Sequence, residues 1–492
     1  MNGTPELAGP AAERPTWVRW RIVALLMAFS FVSWFLRVSM PIAGDDRIME
    51  EYGVTESQMG DVYSIFLFTY MVCMTPGGWF IDRFGPKAAL AVMGLGLAVC
   101  AALTGAVGFV ATTAAGLWLA LLAVRAVMGV FATPVYPGSS HTVARWVPFR
   151  QRGGANGLVQ GMAALGIACT YPVFGFLIDR LDWQWAFVAT GAATAALALV
   201  WLWYAADDPG RHRGVNEAER RRIEEGRLAW PLTDDLSARR FGEEPPETDL
   251  RAAPPAKGEE AVAAGLPTTG PKGEGPGPGD ARARPVVLPA GGWWALLRNR
   301  SLVLLTVSYA AVGYFEYLFF FWIHYYFKDV LKLDREASRY YSMLPTLAMT
   351  AGMLLGGLLS DRLMRRLGYR LGRALVPAGA MLAAAGLLAL GLLAEAPAFT
   401  VAWFTLALGV LGAVEGPMWA TAVELGGRRG GTAAGIFNTG GNLGGVVAPA
   451  LTPRVSAWLG WQWGIGLGSV VCLAGVALWL WINPQERVGE KG

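Results

Sequence analysis

The chain contains twelve apolar stretches, each about twenty residues long. At a rise of ~1.5 Å per residue, a helix of this length matches the ~30 Å hydrocarbon layer of a bilayer. Inside lipid, only helices and closed barrels satisfy their own backbone polar groups, and such long apolar runs favour helices. Hydrophobic residues make up 54% of the chain and charged residues 16%, unlike a soluble protein of this length. The sequence therefore predicts an all-α membrane protein with twelve transmembrane helices.

The apolar stretches fall into two groups of six, separated by a polar segment. The predicted spans are residues 18–43, 58–81, 88–112, 115–138, 154–177, 184–205, 301–327, 341–360, 373–393, 397–423, 431–453 and 460–482. They predict two six-helix bundles at 18–205 and 301–483, with tails at 1–17 and 484–492. Residues 206–300 form the linker between the bundles.

The composition of the linker predicts little folded structure. Residues 241–285 are rich in Pro, Gly and charged residues and poor in large apolar ones, which is typical of disordered segments. Residues 211–227 are predicted to form a charged surface helix. The linker is therefore interpreted as largely disordered.

Basic residues are distributed unequally between the two sides of the predicted helices. One side collects most of the short-loop arginines and lysines, among them Arg83, Lys87, Arg145, Arg150, Arg152, Arg362, Arg365, Arg366, Arg370, Arg373, Arg428 and Arg429. By the positive-inside rule this side faces the cytoplasm, together with both termini and the linker. We expect a multi-pass protein of the plasma or inner membrane. The net charge of +4 is too small to indicate a nucleic-acid partner.

The two halves of the chain repeat each other in the same orientation. Residues 77–83 correspond to 356–362, and residues 129–134 correspond to 412–417. The Trp-Gln-Trp triplet at Trp183 recurs at Trp461, and the offset stays near 280 residues throughout. Parallel repeats of this kind place a substrate site between the halves near the bilayer midplane.

Two groups of motifs resemble a known family. Residues 78–87 look like the loop signature that the major facilitator superfamily carries between its second and third spans. Residues 125–157 and 435–445 resemble, more specifically, the anion:cation symporter family of that superfamily. This resemblance implies the major facilitator fold, alternating access, and transport of sugar acids, other carboxylates or phosphate. It also implies a cytoplasmic gate, formed by Asp82 and Arg83 and by their weaker counterparts Asp361 and Arg362.

The chain departs from the family where acidic residues for proton coupling are expected. Leu36 precedes the first-span arginine, and Ala132 occupies the position of the fourth-span glutamate. The second half supplies acids at the corresponding repeat positions, Glu316 for Arg37 and Glu415 for Ala132. A carboxyl group in a low-dielectric environment can take up a proton near neutral pH. Glu316 and Glu415 are therefore proton-coupling candidates, with an alternative role as ion-pair partners that neutralise the buried arginines.

Two arginines inside apolar spans are the main candidates for binding an anion. Arg37 lies in the outer third of the first span, and Arg125 lies ten residues into the fourth. A guanidinium group stays charged and matches a carboxylate or phosphate with two parallel hydrogen bonds. The alternatives are that Arg37 extends to the membrane interface and that Arg125 forms a structural ion pair.

Several polar residues complete the predicted substrate site. Asn438 and Asn442 lie one helical turn apart, and Gln160 is the repeat mate of Asn438. These amides either bind substrate hydroxyls or bridge helices. The hydroxyl of Tyr314 or of Tyr317 is expected to be a further substrate contact, with packing against lipid or neighbouring helices as the alternative. His324 is interpreted as an interfacial histidine, with a proton relay as the alternative.

No catalytic constellation is present in the sequence, so no enzyme activity is predicted. The four cysteines show no metal-ligand spacing, and neither a metal nor a cofactor is expected. The sequence predicts a monomeric secondary transporter of small organic anions, coupled to protons or another ion. An exchanger or uniporter without proton coupling is the first alternative, and a non-transporting membrane sensor is the second.

Overall fold

The computed structural model describes residues 14–148, 151–228 and 294–486, and the described residues are helical, with short turns between helices. The predicted disorder at 241–285 lies outside them. In chain order the helices are α1 Val18–Ala43, α2 Met49–Tyr52, α3 Glu56–Phe84, α4 Pro86–Val110, α5 Ala114–Ala132, α6 Val135–Trp146, α7 Arg152–Tyr204, α8 Glu217–Leu228, α9 Trp294–Leu297, α10 Arg300–Tyr325, α11 Arg335–Leu367, α12 Tyr369–Leu392, α13 Pro397–Leu411, α14 Glu415–Gly426, α15 Gly430–Leu459 and α16 Trp461–Leu478.

The twelve-helix prediction is confirmed, although two predicted spans are joined in one continuous helix and another span is less apolar than the rest. Ten helical segments of the described residues are long and apolar enough to cross a membrane. One of them contains two predicted spans, because α7 continues through a kink at Asp182, where the backbone is non-helical at φ 62° and ψ 162°. The remaining span, the eleventh in chain order, is α15, whose 30 residues include many Gly, Asn and Pro and are therefore less hydrophobic.

Two spans are built from two consecutive helices. In the fourth span, α5 ends at Ala132 and α6 begins at Val135, so that Thr133 and Pro134 form a break. In the tenth span, the 3₁₀ turn Gly412–Val414 separates α13 from α14. The breaks flank a repeat-related pair, because Ala132 ends α5 and its repeat mate Glu415 begins α14. Each break places a residue of the predicted site, or its repeat mate, at a helix end.

Glycines allow the helices of the second half to pack closely. A Cβ atom at Gly444 of α15 would lie 2.1 Å from the backbone oxygen of Ala310 in α10. Only glycine fits where two helix backbones approach in this way. The contact holds α10 against α15, and both helices carry predicted site residues.

The two halves meet along three pairs of helices: α1 with α10, α3 with α15, and α7 with α11. Near the arginine-rich loops the helices are more open, since a Cβ atom at Gly157, Gly161 or Gly435 would find no neighbour within 4 Å. We call this the arginine-rich end of the molecule. The opposite end carries Asp46 and is called the Asp46 end.

The predicted surface helix of the linker occurs as α8, slightly later than expected. It is anchored on the first half, because Arg19 of α1 donates a hydrogen bond of 2.7 Å to Glu219. Glu219 is 0% exposed, so α8 is docked and does not lie free in solution. Trp183, at the kink of α7, is 0% exposed and donates a hydrogen bond to Glu51.

Candidate functional site

Arg37 lies at the contact between the two halves and points into the protein. It is 2% exposed, and its guanidinium donates a hydrogen bond of 3.0 Å to the hydroxyl of Tyr317 in α10. The guanidinium carbon lies 4.1 Å from the ring centroid of Trp34 and 4.9 Å from those of Phe66 and Tyr70. Aromatic faces stabilise a cation without neutralising it. The Nε and Nη2 donors are buried and have no partner, so Arg37 retains hydrogen bonds for a ligand.

Arg125 lies behind Arg37 and holds the backbone of α1. It is 0% exposed and donates to the backbone oxygen of Arg37 at 3.0 Å and to that of Leu36 at 3.3 Å. The ring centroid of Phe66, which also lies near Arg37, is 5.0 Å from the guanidinium carbon of Arg125. The two positive charges therefore share one buried region, and Arg125 supports the position of Arg37.

The structure bears on both alternatives for these arginines. Arg37 does not extend to a membrane interface, because its contacts are with Trp34 and Tyr317 inside the helix bundle. Among the described residues, neither arginine forms an ion pair with a carboxylate. Neutralisation by Glu316 or Glu415 is therefore not seen in this conformation. A buried cation without a counter-charge is costly, and an anionic ligand would reduce that cost.

Glu316 of α10 and Glu415 of α14 both belong to the second half and lie within electrostatic range of each other. One carboxylate oxygen of Glu415 accepts hydrogen bonds of 3.1 Å from the Tyr309 hydroxyl and from the Trp419 indole. The other oxygen is buried without a partner, as is one oxygen of Glu316. Glu316 precedes Tyr317 in α10, so this acidic pair adjoins the residue that contacts Arg37.

The predicted amide pair lies where α15 meets the first half. The side-chain nitrogen of Asn442 lies 3.5 Å from the sulfur of Met74, and that of Asn438 lies 3.8 Å from it. Asn442 also donates to the backbone oxygen of Asn438 at 3.0 Å. Thioether sulfur is a weak acceptor, so both amides keep hydrogen-bonding capacity that a substrate hydroxyl can use.

The other two predicted substrate contacts lie apart from Arg37. Tyr314 is buried, and its hydroxyl lies 3.2 Å from that of Thr452 within the second half. Gln160 is exposed on α7, towards the arginine-rich end. Neither is brought into contact with Arg37 in this conformation.

The predicted gate residues lie at the arginine-rich end, where Asp82 and Asp361 each pair with a residue of their own half. Asp82 lies 3.7 Å from His141 of α6, while Arg83 beside it is exposed. Asp361 lies 3.8 Å from Arg373 of α12, which also binds Glu424 at 2.8 Å. Arg362 follows Asp361 and is exposed.

At the opposite end, a buried group of charges joins the halves. Asp46 is 0% exposed and lies 2.6 Å from Arg339, 3.1 Å from His324, 3.6 Å from Lys328 and 3.8 Å from Arg335. Arg339 also binds Asp179 of α7. We call Asp46, Asp179, His324, Lys328, Arg335 and Arg339 the Asp46 cluster.

The interpretation of His324 as an interfacial residue is wrong, because it is 1% exposed and bonded to Asp46. Its position near a span end had suggested an interface. That position did not reveal that the end of the first half, around Asp46, covers it.

Sequence reasoning left several contact residues out of the predicted site, among them Trp34, Tyr136, Tyr309 and Trp419. Trp34 donates to the Tyr136 hydroxyl at 2.5 Å, and Trp419 donates to Glu415 at 3.1 Å. Helix periodicity offers a partial signal, since Trp34 precedes Arg37 by three positions and Trp419 follows Glu415 by four. Their partners on other helices were not predictable from spacing within one helix.

Comparison with protein families gives one match that covers most of the chain. The model of the Major Facilitator Superfamily matches residues 23–449. This range begins within α1, ends within α15 and contains every predicted site residue, whereas α16 lies outside it.

Curated relatives match about half of the chain. A probable galactarate/D-glucarate transporter of Bacillus subtilis (strain 168) is 33% identical over 46% of this chain and 49% of its own length. A probable sulfoacetate transporter of Cupriavidus necator is 32% identical over 42% of this chain and 46% of its length. A D-galactonate transporter of Escherichia coli O6:H1 is 30% identical over 42% of this chain and 46% of its length. The chain thus spans about half the length of each of these relatives.

Among solved structures, the fold is similar to that of a bacterial homologue of the human lysosomal transporter Spinster, in an inward-facing and occupied conformation. The TM-score is 0.65 at 12% identity, over 95% of this chain and 97% of that one. At this identity the likeness concerns the fold alone.

Proposed function

The chain belongs to the Major Facilitator Superfamily of membrane transporters, and we propose that it carries small organic anions, with sugar acids as the leading substrate class. The observation on which the proposal mainly rests is Arg37, a buried cation with two unpartnered donors at the contact between the halves. The anionic substrates named for the three relatives support the same class.

In this proposal Arg37 binds the substrate carboxylate or sulfonate directly. Its free Nε and Nη2 atoms lie on one planar group, which suits two parallel hydrogen bonds to one anion. Arg125 adds positive charge and fixes the α1 backbone on which Arg37 is mounted. Asn438 and Asn442 would bind substrate hydroxyls from the opposite half. Gln160 and Tyr314 are secondary contacts that a conformational change would have to bring closer.

Proton coupling is proposed for Glu316 and Glu415. Both carboxyl groups are mostly shielded from solvent, each has an unpartnered oxygen, and two neighbouring negative charges repel each other. One proton shared by the pair would relieve that repulsion. Since Tyr317 follows Glu316 on α10 and binds Arg37, proton uptake at the pair would act on the helix that contacts the anion site.

We propose that the arginine-rich end faces the cytoplasm, as the positive-inside rule indicates. Transport would then proceed by rocking of the two bundles, with the Asp46 cluster closing the external end and the segments around Asp82, Arg83, Asp361 and Arg362 closing the internal end. A single-chain transporter of this type acts as a monomer.

The test is uptake of labelled D-galactonate, galactarate and sulfoacetate into proteoliposomes that contain the purified protein. Uptake is measured with and without an external acidic pH gradient, and with and without anion inside the vesicles. Stimulation by the gradient supports proton symport, whereas uptake that needs an internal anion indicates exchange. Absence of uptake of any organic anion under all these conditions would refute the proposed function.

The role of the acidic pair is tested separately with Glu316→Gln and Glu415→Gln. We expect each change to abolish the stimulation by the gradient, while exchange in the absence of a gradient persists. Glu395→Gln is the matched control, because Glu395 is exposed in a loop at the Asp46 end. Unchanged gradient stimulation in both site variants would remove the proton-coupling role.

A further inference from the structure

Asp45, next to the Asp46 cluster, is a buried acid without hydrogen-bond partners. It is 3% exposed, and neither of its carboxylate oxygens has a donor. Its neighbour Asp46, by contrast, is surrounded by four cationic or protonatable side chains of the second half. Two adjacent acids thus have opposite environments at the same contact between the halves.

Asp45 lines an open cavity of about 280 Å³ to which both halves contribute walls. The first half contributes Asp45, Glu50 and Glu56, and the second half contributes Tyr325, Lys328 and Asp329. Glu50 is exposed, so water and protons can reach the cavity from the Asp46 end. Because the walls come from both halves, the cavity changes whenever the halves separate at this end.

The ligand that suits the Asp45 carboxylate is a proton. Among the described residues, no group of three or more His, Cys, Asp or Glu has the spacing that a metal ion needs. An ionised carboxylate that is buried without a donor or counter-charge costs several kcal/mol. A neutral carboxyl group in the same place avoids most of that cost, so the closed arrangement favours protonated Asp45.

Lys328 is the cation that faces Asp45, and its charge is shared with two other acids. The amine of Lys328 donates to the backbone oxygen of Asp45, and it lies 3.6 Å from Asp46 and 3.3 Å from Asp329. From α3, the hydroxyl of Tyr63 is buried and unpartnered. A Cβ atom on Gly44 would lie 2.4 Å from that hydroxyl, so the helices are in close contact here.

The remaining charged or titratable groups around Asp45 are Tyr171 of α7, together with His324, Arg335 and Arg339 beyond Asp46. Arg339 is already engaged by Asp46 and Asp179. The Nε2 atom of His324 donates to Asp46 at 3.1 Å and forms no hydrogen bond with Asp45. Ionisation of Asp45 would therefore have to draw Lys328 away from Asp46.

We propose that Asp45 is a proton-binding site of the cavity at the Asp46 end, and that its protonation stabilises the closed Asp46 cluster. The role of this site in transport rests on the proposed function. Proton binding itself rests on the geometry of the Asp46 end. Proton binding to the closed state implies that low pH favours closure and that rising pH favours separation of the halves here. For a single linked proton, the ratio of open to closed molecules changes at most ~10-fold per pH unit.

The test measures the distance between the two halves without any substrate, by double electron–electron resonance from pH 5 to pH 8. Spin labels are attached at Thr112 and Glu395, which are exposed in loops of opposite halves at the Asp46 end. Cys73, Cys100, Cys169 and Cys472 are replaced beforehand, since all four are free thiols. We expect the wild-type background to shift towards longer distances as the pH rises.

Four variants test which residue causes the pH-dependent change in distance. Asp45→Asn, or Asp45→Ala if the first folds poorly, should stay closed at every pH. Asp46→Asn should be open at every pH, which shows that the labels report separation of the halves. Glu50→Gln removes an exposed acid of the same cavity and should respond like the wild type. His324→Gln should keep the pH response.

A pH response that survives in the Asp45 variants, or that disappears in His324→Gln, would overturn the proposal. So would a wild-type distance that does not change with pH, or an Asp46→Asn variant that stays closed. None of these results depends on uptake of an anion. A negative result in the distance measurement therefore does not refute anion transport. Absence of anion uptake likewise does not refute proton binding at Asp45.

Discussion

Arg37 and Tyr317 join the two halves of the protein through a hydrogen bond of 3.0 Å between guanidinium and hydroxyl. They are 280 residues apart, so the bond links positions separated by about one internal repeat. Two guanidinium donors of Arg37 remain unpartnered beside it. An anion bound there would be in contact with the first half directly and with the second half through Tyr317. This gives substrate binding a route to influence the relative position of the halves.

Replacing Tyr317 by Phe should weaken anion binding by roughly fivefold, because a hydrogen bond that orients a charged group contributes about 1–1.5 kcal/mol. The aromatic packing against Trp34 and Phe321 would remain. The measurement is the Kd for D-galactonate by calorimetry on purified protein. Tyr340→Phe serves as the control, since Tyr340 is 50% exposed and should leave the affinity unchanged. Equal affinities in all three proteins would contradict the assigned role of Tyr317.

Arg125→Lys tests whether Arg125 acts through Arg37. Lysine keeps the charge but lacks the guanidinium fork that reaches the backbone oxygens of both Leu36 and Arg37. We expect a loss of anion affinity of ~10-fold, about 1.4 kcal/mol, although Arg37 itself is intact. The conservative change Arg180→Lys at an exposed position is the control. If Arg125→Lys binds as well as the wild type, Arg125 contributes charge alone.

The sequence predicted the fold well because its signals are local. Twenty-residue apolar stretches identify helices, and the repeat identifies two bundles, so both features were confirmed. The partners of the charged residues were harder to predict. Arg125 was expected to need a cavity or an ion-pair partner, yet it donates to two backbone oxygens of α1, for which the sequence carries no signal.

The Asp46 cluster illustrates the same limit. Asp46 follows the first apolar stretch and Arg339 precedes the eighth, so each residue alone reads as a loop charge near the surface. Their separation by 2.6 Å depends on how the halves dock, which helix periodicity does not encode. Burial of His324 follows from the same docking and was missed for the same reason.

Asn442→Ala tests the proposed contact with substrate hydroxyls. A site that donates to a hydroxyl discriminates against ligands without it, by ~1–3 kcal/mol when a buried polar group loses its partner. We expect D-galactonate to bind about tenfold more weakly, while sulfoacetate, which has no sugar hydroxyls, is little affected. Competition binding with both anions measures the difference. An equal loss for both would assign Asn442 to helix packing instead.

Glu219→Gln should release α8 from the first half. Glu219 is 0% exposed and pairs with Arg19, which is 6% exposed, and breaking one partner of a buried ion pair costs ~3–5 kcal/mol. Hydrogen exchange at residues 217–224 should become much faster in the variant. The double change Arg19→Gln with Glu219→Gln should restore part of the protection, because no unpaired charge remains. Unaltered exchange in Glu219→Gln would show that other contacts hold α8.

The account depends most on Arg37 as the residue that binds the negative charge of the substrate. The direct test is calorimetric binding of D-galactonate and of uncharged D-galactose to the wild type, to Arg37→Lys and to Arg37→Gln. We predict that the wild type binds only the acid. We also predict that Arg37→Gln loses about 100-fold in affinity, ~2.7 kcal/mol, and that Arg37→Lys is intermediate. Undiminished binding of the acid by Arg37→Gln would contradict the account.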